Sequence, residues 1–88
     1  MARLELNSVD HLAEGASASG DILFQLGVMY AVGRDVERNY VEAHKWFNIA
    51  ALRGSKDAVR YRRELAEEMS SSEVALAQRE AREWISIH

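Results

Sequence analysis

The chain has no cysteine and no proline among its 88 residues. Without cysteine there is no disulfide, no thiolate metal ligand and no thiol nucleophile. Small secreted domains usually lean on disulfides, so the reducing cytoplasm is the expected compartment. No run approaches the roughly 20 apolar residues of a membrane span. The opening stretch Met1 to Asn7 is broken by Glu5 and Asn7, so no signal peptide is expected. Basic charge is not in excess: 11 Lys and Arg face 14 Asp and Glu, for a net charge of −3. That balance argues against a nucleic-acid binder. No stretch alternates apolar and polar residues for long enough to make a strand.

What remains is a chain 48% hydrophobic, ordinary for a globular domain and too apolar for a disordered one. Its punctuation comes from glycine, serine and asparagine. A first helix is expected over 8–17, with Val9, Leu12, Ala13 and Ala16 on one face and Gly15 weakening it. A second starts near Ser19 or Gly20 and ends at Val32. Its stripe is Ile22, Leu26, Met29 and Tyr30, with Leu23 beside it, and Gly33 suits the left-handed position past its end. A third starts at Asn39, an N-cap that Glu42 can complete as a box. Its apolar face is Tyr40, Ala43, Trp46, Phe47, Ala50 and Ala51, and Gly54 ends it. A fourth runs from Ser55 or Lys56 to about Met69 along Ala58, Tyr61 and Leu65, with Arg60–Glu64 and Arg63–Glu67 pairs outside. The last opens on the capping box Ser70–Glu73 and carries Val74, Ala77, Ala81, Trp84 and Ile85 on one face.

Helix pairs of this length invite a search for repeats. The segment reads Leu26-Gly27-x-x-Tyr30-x-x-Gly33, then Val36. It continues Tyr40-x-x-Ala43-x-x-Trp46-Phe47-x-x-Ala50-Ala51-x-x-Gly54, then Ala58. This spacing resembles the Sel-1-like repeat, a relative of the tetratricopeptide repeat. The tail, Met69-Ser70-Ser71-Ser72-Glu73 followed by Ala77-Gln78-x-x-Ala81-x-x-Trp84, is similar to the closing helix of bacterial members. The resemblance covers about 20–84. It implies an all-α fold: a short α–α superhelix of antiparallel helix pairs, about five helices in all. Gly27 and the alanines would let helices approach, Tyr30 and Trp46 would fill the gaps, and Gly33 and Gly54 would permit the turns. The chain then divides into an N-terminal segment, 1–19, and a repeat region, 20–88. The clear repeat spans about 20–57, and a degenerate helix pair with its capping helix spans 58–88.

Two departures stand out. The family usually has a second glycine where this chain has Asp35, which predicts a looser loop. A shift of 36 residues places Leu26, Gly27 and Tyr30 on Arg62, Arg63 and Ala66, so the next repeat is worn. Repeats stabilise one another, and about three are normally needed. A capping helix or self-association must make up the deficit, and a homodimer is expected.

Similar proteins bind protein segments on their helical surfaces, so the resemblance implies an adaptor or scaffold with a protein partner. The candidate partner-binding residues are Phe24, Val28, Ile49, Leu52 and Trp84. Phe24 and Val28 lie away from the Leu26–Tyr30 stripe and want a cover. That cover is the chain's own first helix, a second subunit or a foreign peptide. Ile49 and Leu52 sit beside the core face, where burial against the fourth helix is the simpler reading. Trp84 serves either the core or an end-on interface, while Trp46, Tyr30 and Tyr40 read as core.

His44 has no second ligand at metal spacing on its face, and it and Lys45 read as exposed. Ser70, Ser71 and Ser72 read as helix-start residues, Glu64, Glu67 and Glu68 as solvated charge. There is no glycine-rich phosphate loop. No catalytic residue, cofactor or metal is expected. The rival reading is a small dimeric helix–turn–helix-like nucleic-acid regulator, using Arg53, Lys56, Arg60, Arg62 and Arg63. Asp57, Glu64, Glu67 and Glu68 nearby oppose it.

Overall fold

Each helix begins where an oxygen-bearing side chain can hold an N–H that has no partner within the helix. The computed structural model describes residues 19–88, and the helix expected over 8–17 lies outside them. Four helices follow in order: α1 Gly20–Val32, α2 Tyr40–Leu52, α3 Lys56–Ala66 and α4 Ser71–Ile87. No strand occurs among the described residues, and the fold is all-α. Ser19, Asn39, Ser55 and Ser70 are the N-caps, accepting from the N–H of Ile22, Glu42, Ala58 and Glu73. At Ser70 the Glu73 carboxylate returns the bond at 2.8 Å and completes the capping box.

The cap of α2 is built differently from the expected box. The Asn39 N–H is already taken by the Tyr30 carbonyl at 2.9 Å. The Glu42 carboxylate therefore points along the helix and accepts from the Trp46 indole N–H at 3.2 Å. The α1–α2 loop is also tighter than Asp35 suggested. Asp35 itself takes a left-handed backbone, φ 66, two residues past Gly33 at φ 77. Aspartate tolerates that region better than most residues. The N–H groups of Gly33 and Arg34 both close on Met29, and the Tyr30–Asn39 bond seals the loop.

The end of α3 falls at Ala66, short of Met69. The N–H groups of Glu67, Glu68 and Met69 reach back only three residues, so the chain tightens into a turn before Ser70. Arg60 pairs with Asp57 at 3.8 Å, behind it on the helix, in the exposed position where Glu64 was the expected partner.

Helix α2 packs along all three of the others, while α3 and α4 barely meet. Its buried residues run unbroken from Trp46 to Ala50, with Ala43 and His44 before them. Trp46 and Phe47 are fully buried, and burial of a side chain that size contributes about 2–3 kcal/mol. From α1 come Leu23, Leu26 and Tyr30. Ile22, placed on the stripe by the periodicity, is 46% exposed, and Leu23 holds the core position instead.

Two glycines decide how close α1 can come. A Cβ on Gly20 would lie 2.9 Å from the Arg53 carbonyl oxygen and the Ser55 nitrogen. A Cβ on Gly27 would meet the Phe47 ring at 2.4 Å. The backbone-to-backbone approach is thus at Gly20, and Gly27 is the seat of a ring. We expect Gly27→Ala to lower stability by about 1–3 kcal/mol, because an overpacked core must shift to accept even one methyl group. Urea unfolding followed by tryptophan fluorescence measures it. A change under about 0.5 kcal/mol would place Phe47 elsewhere.

Candidate functional site

Because α3 and α4 both lie on α2 but not on each other, an open groove remains between them, with α2 as its floor. Two connected hollows mark it, of about 360 and 430 Å³, sharing Asn48, Arg62 and Gln78. The floor is His44, Asn48 and Leu52 of α2. Val59, Arg62, Arg63 and Ala66 form the α3 wall. Val74, Gln78, Ala81, Arg82 and Ile85 form the α4 wall.

His44 is buried, against the expectation of exposure. The apolar stripe identifies one covered face of a helix, and α2 is covered on a second. His44 and Asn48 lie one turn apart on that second face. The Arg62 guanidinium donates to Asn48 Oδ1 at 3.0 Å. Asn48 Nδ2 therefore faces His44 Nδ1 as a donor, also at 3.0 Å. That network assigns the imidazole proton to Nε2. The three side chains form one hydrogen-bonded line from the covered face of α2 to the α3 wall. No buried side-chain nitrogen or oxygen among the described residues lacks a partner.

Burial, and then the Arg62 charge, hold the His44 imidazole below its ordinary value of 6.5. Both oppose a positive ring.

The five sequence candidates separate. Phe24 is half-buried and covered by the chain's own rings: Tyr61 edge-on at 4.9 Å and Phe47 at 5.7 Å. Val28 packs partly buried on the same core. Rings of α2 and α3 thus cover Phe24. Ile49 is fully buried, leaving it no contact with a ligand. Trp84 is buried edge-on against Trp46 at 5.4 Å, with His88 stacked on it at 4.2 Å. Only Leu52, 73% exposed, lies open, and it lines the groove.

The sequence reading took His44 for exposed and gave no site role to Asn48, Gln78 or Arg82, nor an inward one to Arg62. The one available signal was the spacing of His44 and Asn48, one turn apart on the same helix. Lys45 likewise lies closer in than expected, 4.4 Å from the Trp46 ring centre and 3.6 Å from Glu42. The basic cluster is partly engaged within the fold: Arg53 lies over Trp84, Arg60 over Tyr61, and Arg62 bonds Asn48.

Among the described residues no helix is long and apolar enough to cross a membrane. None of their His, Asp and Glu side chains form a group of three that could hold a metal ion. Comparison of the chain with protein-family models, curated proteins and solved structures gave no match.

The buried imidazole predicts an acid-sensitive fold. Below about pH 6.5 the unfolded chain binds a proton at His44 that the folded chain resists. This contribution to stability is complete above that value and declines as the pH falls toward the lowered folded value. Urea unfolding across this range should show the decline. His44→Gln, which keeps an acceptor for Asn48, should flatten it. An identical pH profile for the variant would mean that His44 is solvated.

Proposed function

We propose that the chain is a Sel-1-like protein-binding module: an adaptor of the cytoplasm that holds a partner without turnover. The observation that carries this reading is the groove between α3 and α4, open along its length and bordered by exposed Leu52 and Ile85. Its floor is rigid, because α2 is packed on its other sides and Arg62 is tied to Asn48. A preformed surface loses little entropy on binding. The spacing of glycine, alanine and aromatic residues over about 20–84 supports the same reading from the sequence side.

A second copy of this chain is the alternative occupant. It is favoured by Leu52 and Ile85 on the groove and by Ile87, 78% exposed, two residues further on. The nucleic-acid regulator has less support, since the cations it would use are partly occupied by Trp84, Tyr61 and Asn48.

Site-specific photocrosslinking in the source cell distinguishes these readings. A photoreactive residue replacing Leu52 or Ile85 should capture a foreign polypeptide, and one replacing exposed Gln25 on α1 should not. A product of two chain masses would favour self-association. Equal capture from all three positions, or none from any, would contradict a binding role for the groove.

A further inference from the structure

The chain carries more acid than base, 14 residues against 11, yet the groove lining reverses that balance. Arg62, Arg63 and Arg82 line it, with His44 beneath, and no aspartate or glutamate is among the lining residues. The acids of the two walls, including Glu64, Glu73 and Glu83, are carried elsewhere on α3 and α4. An overall negative molecule with a positive groove attracts a negative segment to that place and repels it elsewhere.

Apolar positions alternate with the cations. One end of the groove offers Val59, Ala66 and Val74, the other Leu52 and Ile85. The Asn48 bond holds the Arg62 guanidinium in place, and a guanidinium has five N–H donors suited to a carboxylate. We infer that the groove binds an acidic amphipathic segment of a partner protein, with carboxylates on Arg62, Arg63 and Arg82 and apolar side chains at both ends. The inference rests on the binding role proposed above and specifies its ligand. A nucleic-acid strand fits less well, because its phosphates would leave the apolar ends of the groove uncovered.

Three matched peptides test it against the full chain: a labelled Leu/Glu peptide three helical turns long, its Leu/Gln analogue and its Leu/Lys analogue. Fluorescence anisotropy reads affinity, and amide chemical shifts locate the site. The Leu/Glu peptide should bind at least about ten-fold more tightly than the Leu/Gln peptide, which loses every ion pair with the three arginines. The Leu/Lys peptide should not bind. Shifts should fall on Asn48, Arg62, Gln78 and Arg82, and affinity should drop with salt. Arg82→Gln and Arg63→Gln, both on exposed side chains, should each weaken binding about ten-fold without disturbing the fold, while exposed Arg34→Gln should not.

Equal affinity for the three peptides, shifts outside the groove, or a short DNA duplex binding more tightly than the Leu/Glu peptide would overturn the inference. Should Leu52 and Ile85 capture a partner through a neutral or basic segment, the acidic chemistry fails and the binding role stands. Should the Leu/Glu peptide bind as described while no polypeptide is captured in the cell, the binding role fails instead.

Discussion

The packing of α2 against three neighbours at once is the constraint on which the rest of this structure depends. Such a helix needs a different fit on each side. Toward α1 the fit is a ring against bare backbone, Phe47 on Gly27. Toward α4 it is indole against indole, Trp46 on Trp84. Toward α3 it is partly polar, through Asn48 and Arg62. The α3 and α4 contacts use different faces of α2, which keeps those two helices apart. The groove is therefore a consequence of core packing and needs no separate device to hold it open.

The polar fit has a cost that the apolar ones do not. A buried imidazole and amide, with a half-buried guanidinium at their end, are favourable only while each bond is made. Here the line is complete, and its direction is fixed by the cation at one end. That end reaches the groove wall. The same arginine thus orders the floor and presents charge to solvent, which links the interior to the surface on which a ligand would lie.

Much of the fold was legible in the sequence because local chemistry specified it. Ser19, Asn39, Ser55 and Ser70 marked the helix starts, and Gly33 and Gly54 the turns, as their left-handed backbones require. The candidate site was far less legible. A periodic stripe describes one buried face, so Ile49 and His44 were placed at the edge of a helix that has no free edge there. Phe24 looked unpartnered because its covers, Phe47 and Tyr61, are distant in sequence and depend on how α3 crosses. Arg62 and Arg63 read as erosion of a repeat, since they stand where leucine and glycine would belong. In the folded chain those substitutions put charge on the groove wall. Leu52, expected under the fourth helix with Ile49, is instead left exposed, because it is the last residue of α2 and lies past the packed stretch that ends at Ala50.

Native-state amide hydrogen exchange tests the central helix most directly. If α2 is enclosed as described, the amides from Trp46 to Ala50 should exchange slowest in the molecule, opening only with global unfolding, while those of α3 exchange through smaller local openings. Exchange of α2 as fast as α3, or faster than both α1 and α4, would show that the helix is not enclosed, and the groove it supports would lose its floor.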